Sequence, residues 1–310
     1  MFTVVSLGDL VADIVFTIEQ LPLEHERHQH ASSVNVEPGG TGSFLIAGAR
    51  LGMKMLPLGV LGTDTLGDTL YKILQDEGIV TDGIVRFAGS TTTPVLVLVD
   101  QEGQHVFVGG KQSGANVHFS EFWQTTLDSA DALFLCGFTL LEPQLQSAVL
   151  PILQYARQRS IPIVFDPGPF AAQTSFALKQ AVLEYVTLLV LTEAEIPLIN
   201  QGAPDDIDLV EEFRKRGDTL LCIKRGGEGC QIYVGERLFA HAGFQVAVRD
   251  TTGAGDTFAS ALIYGWLHKW SLEKVAMFAN AMGAAMAQKI GSGRNAPTRE
   301  EVWNVLGWEL

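Results

Sequence analysis

Apolar and polar positions along the chain fall into two alternating rhythms. Short continuous apolar runs rich in β-branched residues occupy 3–7, 56–61, 132–136, 161–165, 187–191 and 219–223. Between them, apolar residues recur at helical spacing over 43–51, 65–77, 144–159, 177–185 and 206–216. Strands that are apolar on both faces need cover on both, and helices between successive strands supply it. The pattern therefore predicts an α/β fold of three layers, a mostly parallel sheet covered by helices on both faces. Residues 255–270 and 272–290 read as helices rich in Ala and Gly. Pro297-Thr298-Arg299-Glu300-Glu301 has the Thr-x-x-Glu form of a capped final helix.

Two stretches break the rhythm. Residues 13–17 with 32–37, and 92–100 with 104–109, carry strand character with little helix between, and Asp100-Gln101-Glu102-Gly103 supplies a hairpin turn. Four such strands fit poorly into a parallel core. They predict a small separate sheet, formed by about residues 11–38 and 89–111, placed as a lid over the strand C-termini of one domain spanning 1–310.

Composition narrows the partners. The 310 residues are 47% hydrophobic and 18% charged, with a formal net charge of −14, which suits neither nucleic acid nor an anionic membrane surface. Cys136, Cys222 and Cys230 form no C-x-x-C pair and read as small core residues. No run is long enough to span a bilayer, and Met1-Phe2-Thr3-Val4-Val5 lacks the basic start of a signal peptide, so a cytoplasmic setting is expected.

The most specific string is Asp250-Thr251-Thr252-Gly253-Ala254-Gly255-Asp256, joining a strand to a small-residue helix. Unpaired N–H groups at a helix N-terminus, with the positive end of its dipole, suit a phosphate. An acid beside such a site is costly unless used, and its simplest use is to take the proton of a hydroxyl that attacks the phosphate. A tight strand-to-helix connection would look similar. A dinucleotide fingerprint would want an acid about 20 residues on at the end of a second strand, and the corresponding stretch, Lys274-Val275-Ala276-Met277 within a helical run, offers none. No G-x-x-x-x-G-K-[ST] phosphate loop is present.

The full string resembles the C-terminal signature of the ribokinase-like (PfkB-type) carbohydrate kinases, and further segments match that family in order. They are Gly8-Asp9-Leu10-Val11-Ala12-Asp13, Gly39-Gly40-Thr41-Gly42-Ser43 with Arg50-Leu51-Gly52, Gly59 to Gly67, and Lys224-Arg225-Gly226-Gly227-Glu228-Gly229. The resemblance implies a Rossmann-like core with a β-sheet lid and ATP-dependent phosphorylation of a small acceptor. It implies Asp256 as base, with Gly253, Ala254 and Gly255 completing an anion hole. It places the acceptor on Asp9, Asp13, Gly39, Gly40, Thr41 and Ser43, and the nucleotide on Thr192, Lys224, Gly226, Gly229, Thr252 and Asn280. Glu195 would organise Mg²⁺ through water, and K⁺ would sit near Asp250 and Thr252.

Two departures stand out. Ser43 falls where the family carries an acceptor-binding Asn, and the N-x-x-E motif reads Thr192-Glu193-Ala194-Glu195. Thr41 is not basic and residues 91–108 contain no Lys or Arg, which favours a neutral sugar or nucleoside acceptor over a phosphosugar. Arg86 and Lys111 are the cations that a phosphosugar could use. A non-catalytic sugar sensor on the same fold is the alternative of another class. His25, His28 and His30 read as a solvated loop rather than a metal site, and Trp266, Trp270, Trp303 and Trp308 as core. The small-residue face over 281–287 suits either close helix packing or a flat adenine. An exposed lid sheet also offers edges to a second copy, a homodimer.

Overall fold

The structure, a computed structural model, describes residues 1–23, 25, 28–110 and 114–307. Glu24, Glu26 and Arg27 of the histidine-bearing segment, Lys111 and Trp308 lie outside the described residues. The strands are β1 (Thr3–Leu7), β2 (Leu10–Thr17), β3 (Ser33–Gly40), β4 (Lys54–Leu61), β5 (Ile84–Arg86), β6 (Pro94–Val99) and β7 (His105–Gly109). They continue with β8 (Ala132–Cys136), β9 (Ile163–Asp166), β10 (Leu188–Thr192), β11 (Leu220–Lys224), β12 (Cys230–Val234) and β13 (Arg237–His241).

Nine strands form the main sheet in the order β13-β12-β11-β10-β9-β8-β1-β4-β5. All neighbours are parallel except the β11-β12 and β12-β13 pairs. Alternate residues of each strand enter opposite cores, as a period of two requires. Val4, Phe134, Val190 and Cys222 face the helices Gly42–Arg50, Ala254–Leu267 and Leu272–Ala287. Val5, Leu135, Leu189 and Leu221 face Pro143–Gln158, Phe176–Leu183 and Leu209–Lys215. The predicted three-layer core is therefore present. Trp266, Trp270 and Trp303 pack against the first of the two cores. Among the described residues, no helix is long and apolar enough to cross a membrane.

The β12–β13 hairpin was not in the expected element set, because its strands are half exposed and carry no continuous apolar run. The remaining strands form a separate four-stranded sheet, β3-β2-β6-β7, in which β2 and β6 pair in parallel. Its turn reaches the main body: a Cβ on Gly103 would fall 1.8 Å from the carbonyl oxygen of Arg249. The helix Gly42–Arg50, which follows β3, is pinned to β8 by stacking of Phe44 on Phe134 with centroids 3.9 Å apart. Such a pair contributes about 1 kcal/mol beyond its buried area, and it fixes where the Gly39-Gly40 turn sits.

Candidate active site

Parallel strands aim their C-terminal ends at one edge of the sheet, where backbone groups are left for ligands. Here β1 runs into Gly8-Asp9, β9 ends at Asp166, β10 at Thr192 and β11 at Lys224. The helix Ala254–Leu267 starts against that edge with Gly253 at φ 74° as its N-cap and no side chain capping it. A left-handed backbone of this kind suits glycine and turns N–H groups outward. The N–H groups of Gly253, Gly255 and Asp256 meet no acceptor among the described residues. Ala254 departs from the expected set of donors, since its N–H closes the turn on the carbonyl of Thr251 at 3.1 Å.

Asp250 holds this turn in shape. One carboxylate oxygen accepts from the Thr252 N–H at 2.8 Å and its hydroxyl at 2.7 Å, and the other accepts from the Gly291 N–H at 2.8 Å. The side chain is fully buried, with His105 Nδ1 of the smaller sheet 3.7 Å away. The carboxylate is thus committed to the protein. The carbonyl oxygens of Asp250 and Thr252 accept no hydrogen bond among the described residues.

Several acids face the turn. Burial raises Asp256 to about 7, with Asp166 adding and Lys224 opposing, and Asp9 and Asp13 contribute from across the cleft. Burial also raises Asp9 to about 7, assisted by the nearby Glu142, and leaves one of its carboxylate oxygens without a hydrogen-bond partner. Asp13 is raised to about 6 by burial against the pull of Ser292, whose hydroxyl donates to it at 2.7 Å. Gly39 and Gly40 are where backbone must come close: a Cβ on Gly39 would lie 2.1 Å from Asp13 Oδ1, and one on Gly40 2.4 Å from the Asp9 carbonyl oxygen.

Lys224 answers these carboxylates. Its ammonium donates to Asp166 Oδ2 at 2.7 Å and sits beside the 253–256 turn, 3.4 Å from where a Gly255 Cβ would be. Burial alone would lower its pKa, but Asp166, Glu195 and Asp256 raise it instead. Glu195 closes a capping box on Thr192, accepting its N–H at 2.7 Å, so Thr192 performs locally what an Asn could. Burial pushes Glu195 up, and the charge of Asp166 adds to the shift. Replacing Lys224 by Met would strand Asp166 among other acids. Breaking one partner of such a pair costs about 3 kcal/mol or more, expected as a lowered urea midpoint in equilibrium unfolding.

Residues 1–299 match the sequence profile described as pfkB family carbohydrate kinase. The chain belongs to the pfkB family of carbohydrate kinases. It is 27% identical to fructokinase-1 of Oryza sativa subsp. japonica over 317 residues, covering 98% of this chain and 97% of the relative. It is 26% identical to the ATP-dependent ribose-1-phosphate kinase of Halopiger xanaduensis over 309 residues, with 97% of both chains covered. The solved structure of Arabidopsis thaliana ribokinase complexed with ribose and ATP superposes with a TM-score of 0.82 at 23% identity, covering 100% of both chains. The protein is thus an ATP-dependent sugar kinase with the ribokinase fold.

In this pfkB kinase the expected residues take two kinds of position. Asp9, Asp13, Gly39, Gly40, Lys224, Glu195 and the 253–256 turn meet in one cleft. Thr41 and Ser43 are buried behind it. Thr41 spends its N–H and hydroxyl on the Asp9 carbonyl, both at 3.1 Å, and Ser43 Oγ accepts the Gly293 N–H at 2.8 Å. Gly226 and Gly229 adopt φ 55° and 89° in the turn after Lys224. Asn280 bridges that region to its own helix, donating to Cys230 Sγ at 3.3 Å and to the Ala276 carbonyl at 2.9 Å.

Sequence reasoning missed Asp166 and Glu142. Asp166 had a usable signal, a charged residue ending an apolar parallel strand just before Pro167-Gly168. A groove of about 500 Å³ lined by Arg157, Tyr185 and Arg216 lies at the other end of the strands, away from all of these groups.

Proposed function

We propose that this kinase transfers the γ-phosphate of ATP to a hydroxyl of a neutral sugar or nucleoside, with Asp256 as general base. The observation that carries this is Asp256 itself, in the first turn of a helix whose outward N–H groups make an anion site. The acceptor lies between Asp256 and the pair Asp9 and Asp13, whose carboxylates accept its hydroxyls. Gly253, Gly255 and Asp256 N–H groups meet the charge that builds on the transferring group, each donor typically contributing about 3 kcal/mol in such sites. Asp256 takes the proton late, because phosphoryl transfer passes through a loose transition state. Lys224, Gly226, Gly229 and Asn280 line the nucleotide side, with Thr252 at the phosphates.

Bound Mg²⁺ would supply charge neutralisation for the phosphates. The carboxylates of Glu195 and Asp166 are the hard oxygen donors that fit it, through water. The carbonyls of Asp250 and Thr252, which accept no hydrogen bond among the described residues, would be the ones to hold K⁺. The four-stranded sheet closes as a lid and excludes water as a competing acceptor. Its exposed Val34, Val106, Phe107 and Val108 suit a second copy of the chain.

The neutral acceptor rests on how the nearby cations are spent. Arg294 forks onto Glu37 at 2.8 and 3.0 Å, and Arg86 onto the Gly62 carbonyl and Asp68. A buried phosphate would find neither free. The Halopiger relative, named for ribose 1-phosphate, is what supports the phosphosugar reading. A thermal-shift panel decides between them: D-ribose, D-fructose or adenosine should raise the melting temperature, whereas stabilisation by ribose 1-phosphate alone would overturn the neutral acceptor.

The base must be ionised to act. Because Asp256 is raised to about 7, kcat/KM should climb with pH through that region and level off above it. Asp9 titrates in the same range, so Asp9→Asn should retain the limb. A flat profile through neutrality in the wild type would contradict the raised pKa of Asp256.

A further inference from the structure

The loop 291–295, between the helix Leu272–Ala287 and the final helix Arg299–Leu306, is gripped at four points. Gly291 N–H binds Asp250, Ser292 Oγ donates to Asp13 Oδ2 at 2.7 Å, Gly293 N–H binds Ser43, and Arg294 forks onto Glu37. Ser292 and Asp13 are 4% and 6% exposed, so water scarcely competes for their bond. The loop thus connects the phosphate turn, through Asp250, to the acceptor side, through Asp13.

We propose that Ser292 is a positioning residue for the acceptor: its hydroxyl holds one oxygen of Asp13, leaving the other to receive the acceptor, at a fixed place relative to the phosphate turn. This rests on the reading of Asp13 as an acceptor ligand. Ser43, standing where the family has a sugar-binding Asn, is turned to the same purpose, since its oxygen anchors the residue after Ser292.

The physical reason lies in what surrounds Asp13. Glu37 faces it from β3, itself paired with Arg294, Asp9 faces it from the turn after β1, and Asp256 from the helix Ala254–Leu267. In a pocket this acidic, the Ser292 hydroxyl is what favours the ionised carboxylate and fixes its rotation. Without it, Asp13 binds a proton more readily and turns more freely.

The test uses whichever of D-ribose, D-fructose and adenosine the intact enzyme turns over fastest. Ser292→Ala should raise the acceptor KM roughly tenfold, the scale of one hydrogen bond to a charged group, with kcat and the ATP KM little changed. Ser292→Thr, which restores the hydroxyl, should return the acceptor KM toward wild type. An unchanged KM in Ser292→Ala, or a raised KM that Ser292→Thr does not reverse, overturns the proposal. Asp13→Asn separates this from the reading beneath it. If that variant keeps wild-type acceptor affinity, Asp13 is not a ligand at all; if it loses the acceptor while Ser292→Ala does not, the positioning role alone falls.

Discussion

Asp256→Asn is expected to lower kcat by about a thousandfold while leaving ATP affinity nearly unchanged, the usual scale for loss of a positioned general base. The substitution is isosteric, so the turn and its N–H groups should keep their places. Asn cannot accept the hydroxyl proton at any pH. Nor would the substitution remove an attraction for ATP, because a carboxylate in the first turn of that helix would repel phosphate charge held on its N–H groups. Removing that charge should hold or slightly tighten nucleotide binding. Turnover and ATP titration by calorimetry together make the check. A variant that retains more than a few percent of kcat is incompatible with Asp256 as base, whereas a variant that loses ATP binding would mark Asp256 as part of the phosphate site instead.

The second large effect is expected at Gly39→Val. A Cβ there would sit 2.1 Å from Asp13 Oδ1 and 2.4 Å from its Cγ, well inside contact distance. Asp13 has little freedom to retreat, since it is buried and bound by Ser292. The carboxylate must swing out of the acceptor site, losing its bonds to the acceptor, and KM for the acceptor should rise by roughly a hundredfold or more. Gly39 does not lie in the left-handed region, so backbone strain is not the cause. Gly78→Ala is the matching control. Gly78 has φ 77° but nothing within 4 Å of an added Cβ, so it should cost some stability and leave the acceptor KM alone. Normal acceptor KM in folded Gly39→Val protein would remove Asp13 from the acceptor site.

How much of this was legible in the chain follows from which interactions are local. The apolar runs 3–7, 132–136, 187–191 and 219–223 announced parallel strands, because strands apolar on both faces need cover on both. The edge hairpin β12–β13 was silent, since its outer strand is mostly exposed. The strands of the smaller sheet were visible as β-rich segments, but the parallel pairing of β2 with β6 was not, because partner choice is a tertiary decision. In the site, Asp256 and its glycines lie in one string and were readable together. Asp166 meets Lys224 across 58 positions and Ser292 meets Asp13 across 279, and no local pattern announces either pair. Ala254 shows the opposite limit: its place in the motif is right, yet a turn hydrogen bond takes up its N–H.

The central claim is that this pfkB kinase phosphorylates a neutral acceptor rather than sensing one or extending a phosphosugar. Phosphorus NMR of the wild-type protein with ATP, Mg²⁺ and the neutral sugars or nucleosides that stabilise it tests this most directly. A new phosphomonoester resonance should appear in step with ADP for at least one of them. ADP appearing only with phosphorylated acceptors, or neutral ligands that bind while ATP stays intact, would contradict the account.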